Sequence, residues 1–266
     1  MPVYATEEPV TVLLDLPAGD VRIVAGDRAE VTVDVRPGVR ATPDDVKSVE
    51  EVQVRFVDGR LTIEAPRGWQ RYWRMMRSTS VPAVEVGIEV PSGSAVQGRL
   101  DYGGIVTQGP LDRVDVDSDY GAIDIAEARA VRVDSNGAVR LGRVDGPAAV
   151  TNKYGATSVR EALGSLQIKA AYGTVTVDRA EAATEVKTAY GAVHIGELVR
   201  GTAQVKSSYG DLDIGIRKGT AVWLDVGTQY GEARSELDEQ DGPGDAADTL
   251  ELQAHTTYGA IRVRRA

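Results

Sequence analysis

The sequence predicts an all-β fold, a parallel β-solenoid (β-helix) with coils of about 18 residues and a degenerate N-terminal β region. Three observations support this fold class. A Tyr-Gly pair recurs at a nearly constant spacing, alternating aliphatic residues flank each pair, and the parity of the alternation changes at the glycine. A unit this short cannot bury a core alone, so neighbouring units must stack and share one.

The Tyr-Gly pairs define the period. The interval is 18 residues from Tyr154 to Tyr172 and from Tyr172 to Tyr190, 19 to Tyr209 and 21 to Tyr230. Stacked strands are about 4.8 Å apart, which brings equivalent aromatic rings into contact. The predicted structural ladder therefore contains eight of the ten tyrosines: Tyr102, Tyr120, Tyr154, Tyr172, Tyr190, Tyr209, Tyr230 and Tyr258.

Each coil turns a corner at its glycine. Counting from the tyrosine as zero, aliphatic residues fall at −6, −4, +3 and +5, as in Leu166, Ile168, Val175 and Val177 around Tyr172. Side chains alternate faces along a strand, so the change of parity keeps the apolar face inward around a bend. Glycine suits such a bend because it adopts positive φ without a Cβ clash. A further apolar residue at +8 predicts a third, shorter face.

Three other dipeptides occupy the place of Tyr-Gly. These are Ala18-Gly19, Asp58-Gly59 and Asn136-Gly137. Asp-Gly between alternating strands is also typical of a hairpin turn. The repeat template favours a degenerate coil at Asp58-Gly59, and the hairpin is the alternative.

The predicted domain organisation has two regions within one continuous domain. Residues 1–83 form an N-terminal β region of degenerate coils, with a short helix from Thr42 to about Glu51 and a basic aromatic loop at 66–80. Residues 84–266 form the regular Tyr-Gly solenoid. An acidic loop is inserted into one of its coils at 236–248, where the interval between tyrosines lengthens to 28 residues.

Composition excludes several classes of function. The formal net charge of −10 argues against nucleic-acid binding. The chain has no cysteine, so disulfides and thiolate metal sites are excluded. No run of 18 apolar residues predicts a transmembrane segment. The N-terminus lacks a basic region followed by an apolar one, so we expect a cytoplasmic location; a surface location would need a non-standard route.

The segment 67–77, R-G-W-Q-R-Y-W-R-M-M-R, differs most from the repeat. Arginine, tryptophan and tyrosine are enriched at interface hot spots and at membrane surfaces. The competing interpretation, which the sequence slightly favours, is a structural cover over an apolar edge of the solenoid. The candidate partner-binding residues are Trp69, Arg71, Tyr72, Trp73 and Arg74.

Two outward-facing rows are weaker candidates. Asp115, Asp117 and Asp119 follow one another on one face of a strand, where clustered carboxylates can bind calcium or share a proton. A solvated acidic face, with Arg99 beside Asp117, is the alternative interpretation. The second row consists of Lys169, Lys187 and Lys206, all at −3. Like charges on neighbouring strands repel, so an anionic partner such as a polysaccharide or phosphate would relieve them, unless neighbours such as Glu185 and solvent do so.

No catalytic, metal or cofactor site is predicted. His194 and His255 are the only histidines, and the template places them on different faces of separate coils, too far apart to share a metal ion. The glycines lie at coil corners and not in a strand-to-helix turn, so no phosphate-binding loop is present.

The motif S-D-Y-G-A-I-D-I, the opening L-D-L-P-A-G-D-V-R-I-V-A-G-D and the segment V-G-I-E-V-P-S-G-S resemble a known family. They are similar to bacterial β-strand-repeat proteins catalogued as "putative adhesins" of unknown function, and the resemblance covers nearly the whole chain. It implies a parallel β-solenoid and carries over no catalytic residue. The word adhesin implies surface exposure, from which we expect this chain to depart because its N-terminal residues do not have the pattern of an export signal.

The sequence thus predicts a non-enzymatic β-solenoid scaffold or binding module for a protein or glycan partner. The alternatives are a cell-surface adhesin and a carbohydrate-active enzyme, a polysaccharide lyase or hydrolase, on the acidic face. Self-association through the solenoid ends is also open, because the last strand, 261–265, has no obvious cap. The arginines at 262, 264 and 265 would guard that edge.

Overall fold

In a computed structural model of the chain, residues 2–38, 49–65, 84–237 and 246–266 are described. They contain strands almost throughout and one helical turn at 49–51, the end of the predicted short helix. The start of that helix, at Thr42, lies outside the described residues. The strands, in chain order, are β1 (Val3–Ala5), β2 (Thr11–Ala18), β3 (Asp20–Gly26), β4 (Glu30–Pro37), β5 (Gln53–Val57), β6 (Arg60–Glu64), β7 (Val84–Pro91), β8 (Ala95–Tyr102), β9 (Ile105–Tyr120), β10 (Ile123–Ser135), β11 (Val139–Val144), β12 (Ala148–Asn152), β13 (Thr157–Ala162), β14 (Leu166–Tyr172), β15 (Val175–Ala180), β16 (Thr184–Tyr190), β17 (Val193–Leu198), β18 (Gly201–Tyr209), β19 (Leu212–Ile216), β20 (Thr220–Tyr230), β21 (Ala233–Ser235), β22 (Asp248–Tyr258) and β23 (Ile261–Arg265).

The chain forms two compact units, Met1–Gly137 and Ala138–Ala266. Within each unit the coils pair mainly in parallel, which confirms the predicted β-solenoid. The predicted division of the sequence at residue 83 stays a prediction. Among the described residues, no helix is long and apolar enough to cross a membrane.

In the first unit, two ladders of strands share the core. One ladder has the order β5–β6–β2–β8–β9–β10 and the other has the order β1–β4–β7–β3–β9–β10. The long strands β9 and β10 belong to both ladders, because each turns through an edge of the coil. Ile105 pairs with Ile123 in the second ladder, and Val114 pairs with Val131 in the first.

The N-terminal coils do not stack in chain order. Strands β2 and β3 lie between the coil of β6 and β7 and the coil of β8 and β9, so the first coil of the sequence is an interior one. Outside this stack, β4 pairs antiparallel with β7, and β5 pairs antiparallel with β6.

The prediction of a degenerate coil at Asp58-Gly59 is wrong. These two residues form the tight turn of the β5–β6 hairpin, with φ of 50° at Asp58 and 70° at Gly59. Positive φ at both central residues is the requirement of a type I′ turn, which Asp-Gly meets. The other two dipeptides fit the template. Ala18 pairs with Tyr102, and Gly137 packs against Gly121 of the coil below.

The second unit is the more regular. Its post-glycine strands pair in the order β11–β13–β15–β17–β19–β23–β21, and its pre-tyrosine strands pair in the order β12–β14–β16–β18–β22–β20. The aliphatic positions of the template line the core, where Leu166, Ile168, Val175 and Val177 are at most 1% exposed. The third face is confirmed as well, since its predicted residues are buried: Ala128 in the first unit, and Ala162, Ala180 and Leu198 in the second.

The last strand is interior, which overturns the idea that it ends the stack uncapped. Strand β23 pairs with β19 on one side and with β21 on the other. Its arginines contact the neighbouring coils and do not guard an edge. Arg262 pairs with Glu236 at 2.6 Å, Arg264 pairs with Asp213 at 3.2 Å, and Arg265 donates hydrogen bonds to two backbone carbonyls. The outermost coil of the unit consists of β20 and β21, which precede β22 and β23 in the sequence.

Candidate functional site

A ladder of exposed tyrosines marks one corner of the second unit. Six rings stack with centroids 4.7–5.7 Å apart and ring planes within 9° of parallel, in the order Tyr154, Tyr172, Tyr190, Tyr209, Tyr258 and Tyr230. Each side chain is 42–66% exposed. The ring faces contact one another, so the row presents mainly ring edges and phenol hydroxyls to solvent. Among the described residues of the first unit there is one such tyrosine pair, Tyr102 on Tyr120 at 5.1 Å.

The predicted lysine row is also in register. Lys169 pairs with Lys187 and Lys187 with Lys206, and all three side chains are exposed. The next rung is His255, beside Lys206. Among the described residues, Lys169 and Lys206 form no ion pair within 4 Å, whereas Lys187 pairs with Glu185 of its own strand.

Polar amides flank the lysines on the side away from the corner. Gln204 donates a hydrogen bond to Gln253 at 3.1 Å, and Gln167 donates one to Glu185 at 2.7 Å. The Lys187 ammonium, hydrogen-bonded to Glu185, holds the pKa of that carboxyl below its ordinary value of 4.5, and Gln167 adds to the effect. One carboxylate therefore partly balances a row of three ammonium groups.

Toward the corner, small side chains separate the lysines from the tyrosines. The residues at −1 are Ala171 and Ala189, which are partly exposed, and Ser208, which is exposed. Rows of amide, ammonium and phenol groups thus run in parallel along the coils, with a low strip between the last two. We call these three rows, with that strip, the ladder surface.

Another outer row of the same unit carries alternating positive and negative charges. Arginine and glutamate alternate from coil to coil at +7, and at +8 in the coil of Tyr209, where the strand pairing shifts register. Arg143 pairs with Glu161 at 2.8 Å, Arg179 with Glu197 at 2.9 Å, and the next coil contributes Arg217 at 4.0 Å from Glu197. Each charge in this row has opposite charges as its neighbours. The like-charged lysine row is therefore not imposed by the repeat itself.

The predicted acidic face lies in the first unit. Asp115 has Arg113 at 3.6 Å and Arg132 at 4.0 Å, and Asp117 pairs in register with Arg99, as predicted. Asp119 is exposed at the corner. A shallow groove of about 480 Å³ crosses this face and is lined by Leu13, Leu14, Asp15, Thr62, Gln97, Gly98, Arg99, Asp115 and Asp117. The function of this face stays a prediction.

The two histidines contact different carboxylates. His194 lies 4.0 Å from Asp213, and His255 lies 3.3 Å from Asp225. Within the described ranges, no group of three or more His, Asp or Glu side chains has the arrangement of a metal site.

The remaining predicted residues lie outside the described part of the chain. They are Trp69, Arg71, Tyr72, Trp73 and Arg74, and the role of this loop stays a prediction. Residues 238–245 of the acidic loop also lie outside.

Sequence reasoning did not single out three features of these surfaces. They are the glutamine row, the groove centred on Gly98, and Trp223, which is 76% exposed on strand β20. The glutamine row carries a readable signal, since Gln167, Gln204 and Gln253 all stand two residues before the −3 position. The groove has no comparable signal, because strands from distant parts of the chain form it.

Parallel coils of nearly constant length, corner glycines and stacked tyrosines define the chain as a β-solenoid repeat protein. The family model described as Toastrack DUF4097 matches residues 12–265. The chain therefore belongs to that family, whose function is unknown, and the resemblance seen in the sequence is confirmed.

No curated protein matches the chain. Among solved structures, a "putative adhesin" from Bacteroides fragilis is 13% identical, with 98% of this chain and 95% of that chain covered and a TM-score of 0.41. A "putative cell adhesion protein" from Clostridium sporogenes is 12% identical, with 100% and 98% covered and a TM-score of 0.25. A "putative adhesin" from Parabacteroides merdae is 10% identical, with 98% and 94% covered and a TM-score of 0.41. Because the identities are 10–13% and the TM-scores lie below 0.5, these three structures say nothing about the activity of this chain.

Proposed function

We propose that the protein is a non-enzymatic binding module that presents a rigid, repetitive surface to a protein or glycan partner. The observation that carries this proposal is the ladder surface, on which identical exposed side chains recur at the spacing of the coils. A row of equal groups at equal intervals suits a partner that is extended along the solenoid axis. Catalysis instead calls for different groups converging on one reacting atom.

A crosslinking experiment in the native cell tests this proposal. A photo-reactive residue placed at Ser208, between the lysine and tyrosine rows, should capture a partner. The same residue at Ser158, on the outer side of strand β13, serves as the control because it stands on the face of the alternating row. Equal capture of the same molecules at both positions, or capture at neither, would contradict a binding role for the ladder surface.

The loop at 67–77 is the second proposed contact. Alanine replacement of Trp69, Arg71, Tyr72, Trp73 and Arg74 should remove a partner recovered by crosslinking while the far-UV circular dichroism spectrum stays that of the folded chain. If every recovered partner survives the replacement in folded protein, the loop is a cover and not an interface. We also propose a cytoplasmic location, which cell fractionation tests against the alternative of a surface adhesin.

The groove on the acidic face favours a second candidate function, a carbohydrate-active enzyme. Asp115 and Asp117 both line this groove, and glycoside hydrolysis uses a pair of carboxyl groups, one as general acid and the other as base or nucleophile. Asp117→Asn should abolish any activity found in a glycan screen. The candidate is dropped if that activity is unchanged.

A further inference from the structure

We propose that the ladder surface binds a linear polyuronate, an extended anionic polysaccharide with one carboxylate on each sugar residue. The inference rests on the proposed function, a binding module, and names the chemical class of its partner. It depends on three properties of the second unit: the spacing of the lysine charges, their incomplete neutralisation by the described residues, and the kind of hydrogen-bonding groups beside them.

Spacing is the first property. Lys169, Lys187 and Lys206 stand on successive strands, so their charges repeat at one strand spacing, about 4.8 Å. A pyranose residue in an extended chain advances by a comparable length, so a polyuronate that turns its successive carboxylates toward the solenoid places one beside each lysine. An extended acidic peptide fits less well, because side chains on one of its faces recur about 6.6 Å apart.

Uncompensated charge is the second property. In the alternating row, from Arg143 to Arg217, each charged side chain is neutralised by an opposite charge on the adjacent coil. Among the described residues, only Glu185 does so at the lysine row, and it contacts Lys187. Like charges on adjacent strands destabilise the fold, and a bound polyanion removes that repulsion along the whole row at once.

The third property is the chemistry beside the charges. Phenol hydroxyls on one side and amides such as Gln204 on the other both donate and accept hydrogen bonds, which matches a polymer rich in hydroxyl groups. Single-stranded nucleic acids bind instead by stacking bases on aromatic faces. In the interior of the tyrosine ladder those faces are occupied by neighbouring tyrosines.

The length of the surface sets the length of the ligand. The lysine row covers three coils and the tyrosine row covers six. Affinity should therefore rise steeply from a dimer to a trimer of uronate and level off near a hexamer. It should fall as salt is added, because each ammonium–carboxylate contact is screened in solvent.

The test is titration calorimetry of the full chain with oligogalacturonates from dimer to octamer. The matched ligand control is the methyl-esterified oligomer, which has the same sugar and no charge. The lysine variant is Lys169→Gln with Lys206→Gln. The matched protein control is Arg160→Gln with Lys218→Gln, which changes the net charge equally at exposed positions off the row.

We expect the lysine variant to bind the hexamer at least about fivefold more weakly than the unmodified chain, from the loss of two exposed charge contacts. The control variant should bind as the unmodified chain does, and the methyl ester should not bind measurably. Glu185→Gln should strengthen binding, because it frees Lys187. Circular dichroism checks that each variant is folded, and Lys206→Gln alone gives a second measure if the double variant is not.

Several results would overturn the inference. They are equal binding of the methyl ester, an equal loss in the control variant, and absence of uronate binding. A preference for polyphosphate, polyglutamate or oligodeoxythymidine on the same lysines would also overturn it. In each case the proposed function stands if crosslinking at Ser208 still captures a partner. If the chain instead cleaves the oligomers, the proposed function fails while uronate recognition survives.

Discussion

Replacing a corner glycine should separate two contributions to the stability of the solenoid. Gly191 has a φ of 153°, and a Cβ atom added there would lie 2.0 Å from the carbonyl oxygen of Gly173 in the coil below. The positive φ alone costs a residue with a side chain about 1–3 kcal/mol. The added Cβ atom would have to move by more than about 1 Å to reach an ordinary contact distance. Two backbone hydrogen bonds lie at this place. The Gly191 amide donates to the Tyr209 carbonyl at 2.9 Å, and the Gly173 amide donates to the Tyr190 carbonyl at 3.0 Å.

Losing those two hydrogen bonds would add about 1–3 kcal/mol, so together with the cost of the positive φ, Gly191→Ala should lower the free energy of unfolding by about 2–6 kcal/mol. Gly219→Ala is the matched control, because Gly219 has a φ of 85° and an added Cβ would meet nothing within 4 Å. It should cost about 1–2 kcal/mol. Gly196→Ala isolates the crowding, since Gly196 has no positive φ and an added Cβ would lie 2.6 Å from the Asp178 carbonyl oxygen.

Urea unfolding followed by far-UV circular dichroism gives all three values. If Gly191→Ala does not fold, Gly196→Ala still has to cost clearly more than Gly219→Ala. The reasoning is refuted if Gly191→Ala and Gly219→Ala destabilise the chain equally, or if Gly196→Ala is neutral.

Three further predictions concern the second unit. Tyr190→Ala should cost about 1–3 kcal/mol and Tyr230→Ala about half as much, because Tyr190 stacks on two rings and Tyr230 on one; equal urea midpoints for the two variants would argue against stabilisation by the stack. Thr220→Val should cost about 0.5–1.5 kcal/mol, since it removes a hydrogen bond of 2.8 Å to Val199. Thr188→Val should be neutral or stabilising, because this buried hydroxyl has no partner among the described residues. The Thr220→Val variant should therefore melt at a lower temperature than the Thr188→Val variant, and the reverse order would contradict this. The Glu185 carboxyl, whose pKa is lowered chiefly by its hydrogen bond from Lys187, binds a proton less readily in the folded chain than in the unfolded one. Its contribution to stability is therefore present above the unfolded pKa and lost as the pH falls through the folded pKa. The melting temperature of Glu185→Gln should accordingly fall less than that of the unmodified chain between neutral pH and about pH 3. An equal fall in the two proteins would contradict this.

The regular part of the fold could be predicted because one physical constraint acts on every coil. The inward-facing aliphatic residues must shift from even to odd positions where the chain bends. The positions of buried residues such as Val186 and Val193 therefore indicate both strands and the corner between them. The register of the lysine row follows from the same period, without any tertiary information.

Pairing order could not be predicted from that pattern. A periodic strand fits beside any other copy equally well, so the sequence does not show that the coil of Tyr258 lies between those of Tyr209 and Tyr230. The prediction for Asp58-Gly59 is wrong for a related reason. Alternation before and after a glycine is the same in a hairpin and in a coil, and only the partner of strand β5 distinguishes them.

The side-chain partners of the candidate site were also beyond the sequence. Glu185 has lysines on its own strand and on the neighbouring one, and only the structure shows that it contacts Lys187. The groove by Gly98 brings together β2, β6, β8 and β9, whose adjacency depends on the unpredicted order of the N-terminal coils.

The interior position of the first and last coils constrains how such a chain can lengthen during evolution. In each unit, the coil nearest the terminus in sequence has both of its neighbours in place: β2 with β3 in the first, β22 with β23 in the second. A duplicated repeat appended after Ala266 would therefore meet no free strand beside it. A whole period inserted within the run from Tyr154 to Tyr209 would instead lie between two coils of its own kind. Each such insertion extends the row of tyrosines by one ring and leaves the two ends of the sequence where they are.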